Sequence, residues 1–282
     1  MNEIDFQLTI DEFDRLADMI YRRIGIRFEP KKIYFINHRI FQRMQVMGFN
    51  SAAEYIRYLK FSDLQGHEFQ NLVNQITINE TYFFRDFPQL ESFADICLPE
   101  VVKQKITLND NSLRIWSAGC STGEEPYSIA IILHEILEDV SDWKIEIIAS
   151  DIDEKVLIKA QAGVYEKRSI MDTPETYLKT YFNILPKQRF EVKSMVKSMV
   201  KFIKLNLQNR DEMRVIINCD FIFCRNVLIY FDDISRRQVV DHFYTSLKTS
   251  GYIFLGSSES LGRITTAFKL QRSGKFLVYC KE

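Results

Sequence analysis

Apolar residues recur at helical spacing through the first quarter of the chain. Phe13, Leu16, Met19, Ile20 and Ile24 form one stripe, and Ile33, Ile36, Ile40, Met44 and Met47 form another. Thr9 can cap the first helix with Glu12 as its capping-box partner, while Pro30 opens the second and Gly48 ends it. Two more amphipathic segments, residues 51–61 and 66–76, complete a small all-helical unit over residues 1–76. From about residue 113 the rhythm changes. Short apolar runs (113–118, 145–150, 221–224) are each followed by a helical stretch, and strand-like runs at 252–255 and 276–279 close the chain. Alternating strands and helices predict an α/β fold, a doubly wound parallel sheet with helices on both faces, over residues 91–282. Residues 164–205 interrupt that rhythm with apolar/polar alternation at Phe190-Glu191-Val192-Lys193 and a short Val-Lys-Ser-Met tandem. They read as a small inserted β element.

Composition adds limits. The chain has 282 residues, 46% hydrophobic and 13% aromatic, enough for a packed core and too much for wholesale disorder. A net charge of −1 gives no basis for non-specific nucleic-acid binding. No apolar run approaches the roughly 20 residues that span a bilayer, and the polar start is no signal peptide, so no membrane insertion and a cytoplasmic location are expected. Five cysteines without CxxC spacing read as reduced, buried thiols. The near-zero charge hides an asymmetry: residues 3–18 are mostly acidic and residues 22–43 mostly basic. Lys32, Arg39 and Arg43 are spaced to lie together on one face of the second helix.

The stretch most informative for chemistry is Ile115-Trp116-Ser117-Ala118-Gly119-Cys120-Ser121-Thr122-Gly123-Glu124-Glu125-Pro126, a strand running through a small-residue turn into a helix. Such a turn sits at the carboxyl edge of a doubly wound sheet, where ligands bind. Three ligands compete for it. A dinucleotide would use free amides and a positive helix N-terminus, which Glu124, Glu125 and Pro126 oppose. A serine hydrolase would use Ser121 in a G-x-S-x-G elbow, but the only later histidines, His134 and His242, fall within helices. A nucleoside with positive charge and no phosphate, such as S-adenosylmethionine, suits the acids. Asp151, at the tip of the next strand, could accept both ribose hydroxyls or instead cap the helix that follows.

Several separated motifs then resemble those of the chemotaxis receptor methyltransferases. They are Asn79-Glu80-Thr81-Tyr82-Phe83-Phe84-Arg85, the Ser117–Ser128 turn, Ala149-Ser150-Asp151-Ile152-Asp153, Cys224-Arg225-Asn226-Val227-Leu228-Ile229-Tyr230-Phe231, and Gly256-Ser257-Ser258-Glu259-Ser260. The resemblance implies a Rossmann-like methyltransferase sheet, a helical receptor-recognition domain over residues 1–76, and a linker at 77–90 that contributes to the cofactor site. It implies S-adenosylmethionine as cofactor, S-adenosylhomocysteine as product, and glutamates on chemoreceptor methylation helices as substrate. By resemblance, Asn79, Thr81 and Arg85 clamp the cofactor, and Glu125 and Asp151 hold it. Asn206 and Leu207 lie beside the adenine, Arg225 and Asn226 at the reactive end. Arg85 and Tyr230 are the catalytic residues, and Lys32, Arg39 and Arg43 bind the receptor. A glutamate carboxylate is already ionised at neutral pH, so the lack of a His/Asp pair or metal cluster fits. The family's tail-binding loop contains a glycine. Residues 184–189 have none, so tethering of a receptor tail is not expected. The competing functions are the Ser121 hydrolase and a non-catalytic S-adenosylmethionine-binding regulator or scaffold.

Overall fold

The Thr9 hydroxyl accepts the Glu12 N–H at 3.3 Å, and the Glu12 carboxylate accepts the Thr9 N–H at 2.9 Å, so the expected capping box is formed. In this computed structural model, which describes residues 6–274 and 276–282, the box starts helix α1 (Ile10–Ile24), closed by Gly25 in a left-handed conformation. Pro30–Lys32 forms a short 3-10 turn, and α2 (Ile33–Met47) follows. The α-helix thus begins three residues beyond Pro30, and Gly48 ends it. Helices α3 (Ala52–Phe61) and α4 (His67–Ile76) complete the bundle. Phe13, Leu16, Ile20 and Ile24 of α1 and Ile36, Ile40 and Met44 of α2 are buried, whereas Met47 is exposed. The expected basic face does not survive intact. Arg43 is only 8% exposed, and its Nε donates to Glu68 at 2.8 Å beside a Tyr55 hydroxyl donating to the same carboxylate oxygen at 2.8 Å. The helix turns that position toward α4 because Arg43 lies next to the buried Met44 on the inward face.

The chain divides into two units. The first runs to Ile78 and takes in Tyr230–Ser235; the second comprises Asn79–Ile229 and Arg236–Glu282. In the first, the Tyr230 carbonyl accepts the Arg27 N–H at 3.2 Å, and Tyr21 donates its hydroxyl to Asp232 at 3.0 Å. Residues 79–90, within the expected linker at 77–90, group with the second unit.

The second unit opens with α5 (Phe87–Ser92) and α6 (Leu98–Thr107). Then come β1 (Ser112–Ala118), α7 (Glu124–Ile136), β2 (Lys144–Asp151) and α8 (Glu154–Ala162). Next are β3 (Val164–Glu166), α9 (Glu175–Tyr181), β4 (Phe182–Leu185), β5 (Arg189–Val192), α10 (Ser194–Lys197), β6 (Val200–Lys204) and α11 (Arg210–Met213). The chain continues through β7 (Cys219–Cys224), α12 (Asp233–Ser246), β8 (Leu247–Leu255), β9 (Phe268–Ser273) and β10 (Phe276–Lys281). The main sheet has the order β6-β2-β1-β7-β8-β10-β9. Six of its strands run in one direction and only β10, between β8 and β9, runs against its neighbours; the hairpin that joins it to β9 is too short for a parallel crossover. The sheet is therefore mixed, where a parallel one was expected. Strand order reverses between β1 and β7, the switch point at which doubly wound sheets open a ligand crevice.

The inserted element is smaller than residues 164–205. Its three strands, in the order β3-β5-β4, end at Val192, whereas Val200–Lys204 pairs in parallel with β2 at the edge of the main sheet. The backbone of Ile147 to Asp151 finds its ladder partner there. On one face of the main sheet Phe93 meets Phe221, Phe223 and Phe254 edge-on at 5.0, 5.2 and 5.8 Å. On the other, Trp116 meets Phe243 of α12 at 5.2 Å. Burying each such ring contributes about 2–3 kcal/mol. All five cysteines are buried and unpaired, as expected. Among the described residues no helix is long and apolar enough to cross a membrane.

Candidate cofactor and catalytic site

The carboxyl ends of β1, β2, β6 and β7 lead into Glu125, Asp151, Asn206, Leu207, Arg225 and Asn226, and Asn79, Thr81 and Arg85 come from the segment before α5. The glycine turn after β1 uses its amides internally. Gly119 and Cys120 donate to the Ser150 carbonyl at 2.8 and 2.9 Å, Gly123 to the Cys120 carbonyl at 3.0 Å, and Ser121 to Asp151 at 2.8 Å. Those donors are not offered to a pyrophosphate, and Glu124 is buried in the first turn of α7 with the Thr122 hydroxyl on it at 2.6 Å. Gly119 is required: at φ +83°, a Cβ there would lie 2.3 Å from Val227 Cγ2. The Ser121 hydroxyl donates to the Asn79 carbonyl at 3.3 Å, so it is not held by an imidazole as a nucleophile would be. The hydrolase reading finds no support.

Asp151 is 8% exposed at the tip of β2. Its Oδ2 accepts the Ser121 N–H and its Oδ1 the Asp153 N–H, at 2.8 and 2.9 Å. Burial pushes its carboxyl up to about 6, against the pull of those amides. The cap of α8 is Asp153, which accepts the Lys155 and Val156 amides and also the Asn79 side chain at 2.9 Å. Asp151 is therefore not the N-cap; its carboxylate is oriented by the amides of Ser121, Asp153 and Ile152. Beyond β6, Leu205 donates its N–H to the Asp151 carbonyl at 3.0 Å, which carries Asn206 and Leu207 alongside. The Asn206 N–H is held by Glu212 at 2.7 Å, and Leu207 is buried.

A second cluster lies across the switch point. Glu125 accepts the Ser117 hydroxyl at 2.6 Å and faces Arg225 Nη1 at 3.4 Å. Burial raises its carboxyl and Arg225 opposes the rise. The Arg225 side chain is 3% exposed and donates from Nη2 to the Arg85 carbonyl at 2.5 Å and to Asp86 at 3.0 Å. It therefore pins the segment after Arg85 to the end of β7. The Arg85 side chain turns back on its own segment, donating to the Glu80 carbonyl at 2.5 Å and lying 5.8 Å over the Tyr82 ring. Thr81 is half-buried beside it in sequence. Phe83 and Phe84 are fully buried plugs: Phe83 sits 4.8 and 5.0 Å from Tyr165 and Phe182, and the Phe84 N–H donates to Ser128 at 3.0 Å. Phe84, Asp86, Ser121 and Asn226 all have positive φ, from 48° to 60°. Four strained non-glycine positions around one sheet edge, at about 1–3 kcal/mol each, mark a geometry that the surroundings impose. Asn226 Oδ1 and Arg225 Nε are buried without a hydrogen-bond partner.

Sequence reasoning missed Ser117, Asp86, Asp153 and Glu259, the last of which accepts four backbone amides from two loops. Its signal was its place in the motif Gly256-Ser257-Ser258-Glu259-Ser260, to which no role was attached. The structure brings Asn79, Asp151, Asn206 and Leu207 to one stretch of the sheet edge, and Arg85, Glu125, Arg225 and Asn226 to the other. Tyr230, Lys32, Arg39 and Arg43 belong to the first unit, where Arg39 donates to the Gln75 carbonyl at 3.2 Å and lies 3.7 Å over Phe35. Lys32 is exposed.

Two buried acids, internally used turn amides and an unpartnered amide oxygen fit a cationic nucleoside and disfavour a nucleotide. A family model described as CheR methyltransferase, SAM binding domain, matches residues 79–277, and one described as CheR methyltransferase, all-alpha domain, matches residues 11–77. The chain is 42% identical to chemotaxis protein methyltransferase 2 of Vibrio cholerae, over its full length and 96% of that protein. It is 37% identical to the chemotaxis protein methyltransferase of Borreliella burgdorferi (92% of this chain, 91% of that one) and 33% identical to that of Escherichia coli (94% and 89%). With both units matched and such relatives covering nearly all of it, the chain belongs to the CheR family of S-adenosylmethionine-dependent chemotaxis methyltransferases.

Proposed function

We propose that this protein methylates glutamate side chains on the cytoplasmic helices of chemoreceptors, forming glutamate methyl esters and S-adenosylhomocysteine. The observation that carries the cofactor half of this reading is Asp151. Backbone amides of Ser121, Asp153 and Ile152 fix this buried carboxylate at the tip of β2, where its remaining acceptor capacity meets the hydroxyls of a ribose. Asn206 and Leu207 flank the adenine, Asn79 and Thr81 close over the nucleoside, and Glu125, Arg225 and Asn226 receive the amino-acid end. S-adenosylmethionine supplies, when bound, a methyl group already activated by its sulfonium.

The chain's residues then have little chemistry to perform. The substrate carboxylate is ionised at neutral pH and needs no base. Alignment and exclusion of water supply the acceleration, where approximation is worth roughly 7–11 kcal/mol. Arg85 keeps further N–H donors beyond the one on the Glu80 carbonyl, and these orient the incoming carboxylate without a tight pairing that would quench it. Tyr230, by the family resemblance, is the second catalytic residue, its hydroxyl a hydrogen-bond donor suited to a carboxylate. Arg225, engaged by Asp86 and Glu125, fixes the site's walls and leaves the substrate to Arg85. Lys32 and Arg39 meet the acidic receptor helix; Arg43, paired with Glu68, takes no part.

Calorimetry with S-adenosylhomocysteine followed by transfer of labelled methyl into a receptor cytoplasmic domain tests the proposal. Binding with alkali-labile label on the receptor is expected. Binding without transfer would point to a regulator, and failure to bind would overturn the reading at its first step.

A further inference from the structure

The carboxylate of Glu259 joins two loops that are far apart in sequence. Its Oε2 accepts the N–H groups of Gly256 and Asn226, at 2.7 and 2.8 Å, and its Oε1 those of Val227 and Ile229, at 3.0 and 3.2 Å. All four acceptor positions of the two oxygens are thus occupied by backbone amides. Charge-assisted bonds of this kind are the strong ones, and they converge on the loop that follows β7. Within that loop Asn226 has φ 60°, a conformation that a non-glycine residue keeps only when something holds it. Gly256 leaves the room needed: a Cβ there would lie 2.7 Å from Glu259 Oε2 and 2.8 Å from the Asn226 nitrogen.

We propose that Glu259 is a positioning residue for methyl transfer, an anionic clasp that fixes the 225–229 loop and through it the reactive end of the site. The chain of contacts is continuous. Glu259 holds the Asn226 amide, the preceding Arg225 donates to the Arg85 carbonyl, Asp86 and Glu125, and Asn226 is left with its buried Oδ1 turned to no protein donor. The ribose and adenine contacts lie on β2 and beyond β6, outside the loop that the clasp holds. Losing the clasp therefore loosens the reacting geometry while leaving the nucleoside anchors in place. The inference rests on the cofactor orientation proposed above.

Glu259→Gln keeps the shape but replaces one oxygen by an NH2 that faces two amide donors. The expected result is at least a tenfold fall in kcat for receptor methylation, with the Kd for S-adenosylhomocysteine within threefold of wild type. Asp110→Ala, at the opposite edge of the sheet where Asp110 receives Lys105 and Ser112, serves as a control that lowers thermal stability without touching kcat. Gly256→Ala keeps the carboxylate but crowds the clasp, and shows the same split between kcat and Kd. A kcat within twofold of wild type, or kcat and Kd worsening together in proportion to lost stability, overturns the proposal. If both variants fail to fold, Glu259 is a folding determinant and the positioning role is likewise overturned. A wild-type protein that binds no S-adenosylhomocysteine would strike the functional reading instead.

Discussion

Acidification should weaken the hold of Asp151 on the cofactor while relieving the cost of burying its charge. The Asp151 carboxyl is held at about 6 by burial, above an ordinary value of 3.8. The ionised form accepts the ribose hydroxyls most strongly, so affinity follows the ionised fraction, roughly nine-tenths at pH 7 and one-tenth at pH 5. The Kd for S-adenosylhomocysteine should rise about tenfold over that interval, or about 1.4 kcal/mol. The contribution of this group to the stability of the ligand-free protein moves the other way. Because the folded pKa lies above the unfolded one, the native state binds more protons between about pH 4 and 6, and this group stabilises the fold as pH falls through that window. The full effect is about 3 kcal/mol. Calorimetry at pH 5, 6 and 7, in buffers of different ionisation heat, should show the rising Kd and release of about half a proton at pH 6. Burial raises the Glu125 carboxyl as well, so Asp151→Asn is the control: it should bind weakly, with most of the pH dependence gone. A Kd that stays flat in the wild type, with no buffer-dependent heat, would refute the reasoning.

Arg43→Ala leaves Glu68 buried without its cation and should destabilise the helical unit by about 3–5 kcal/mol; a thermal melt unchanged from wild type would show the pair to be dispensable. Lys32→Glu, on an exposed side chain, should slow receptor methylation several-fold at low salt, with the deficit shrinking as salt rises and the melt unaltered. Tyr230→Phe should lower turnover with S-adenosylhomocysteine affinity little changed, and an unchanged methylation rate would remove the tyrosine from the mechanism. A peptide copying a receptor's C-terminal tail should give no measurable heat. The hairpin at Lys187 and Gln188 turns without glycine, both residues having positive φ, and a clear binding isotherm would restore the tether.

What could be read from sequence was local. The capping box at Thr9, the stop at Gly48 and the acids at Glu124 and Glu125 are encoded within a few residues, and helix and strand periods mark faces that bury. Arg43 was illegible because its spacing from Lys32 and Arg39 is that of a solvated stripe; what buries it is Glu68, 25 residues away on another helix. Strand β6 carries the same alternation whether it pairs within the insertion or with β2, and only the ladder to Ile147–Asp151 decides. Asp153, and not Asp151, capping α8 follows from a helix start two residues later, within the usual uncertainty of a boundary. Glu259 was hidden for a different reason: a carboxylate that binds backbone amides 30 to 33 residues away leaves no side-chain partner to notice in the sequence.

The turn that keeps Gly119, Cys120, Ser121 and Gly123 amides for its own carbonyls and for Asp151 has a cost and a benefit for a site that takes an adenine-containing cofactor. It forgoes the strongest handle that adenine cofactors offer. In exchange, adenosine phosphates would meet a closed turn and buried carboxylates where their own anchors need free amides, so they should compete poorly with the methyl donor for the crevice. Sensory adaptation run by such a site would then be insulated from the energy charge of the cell.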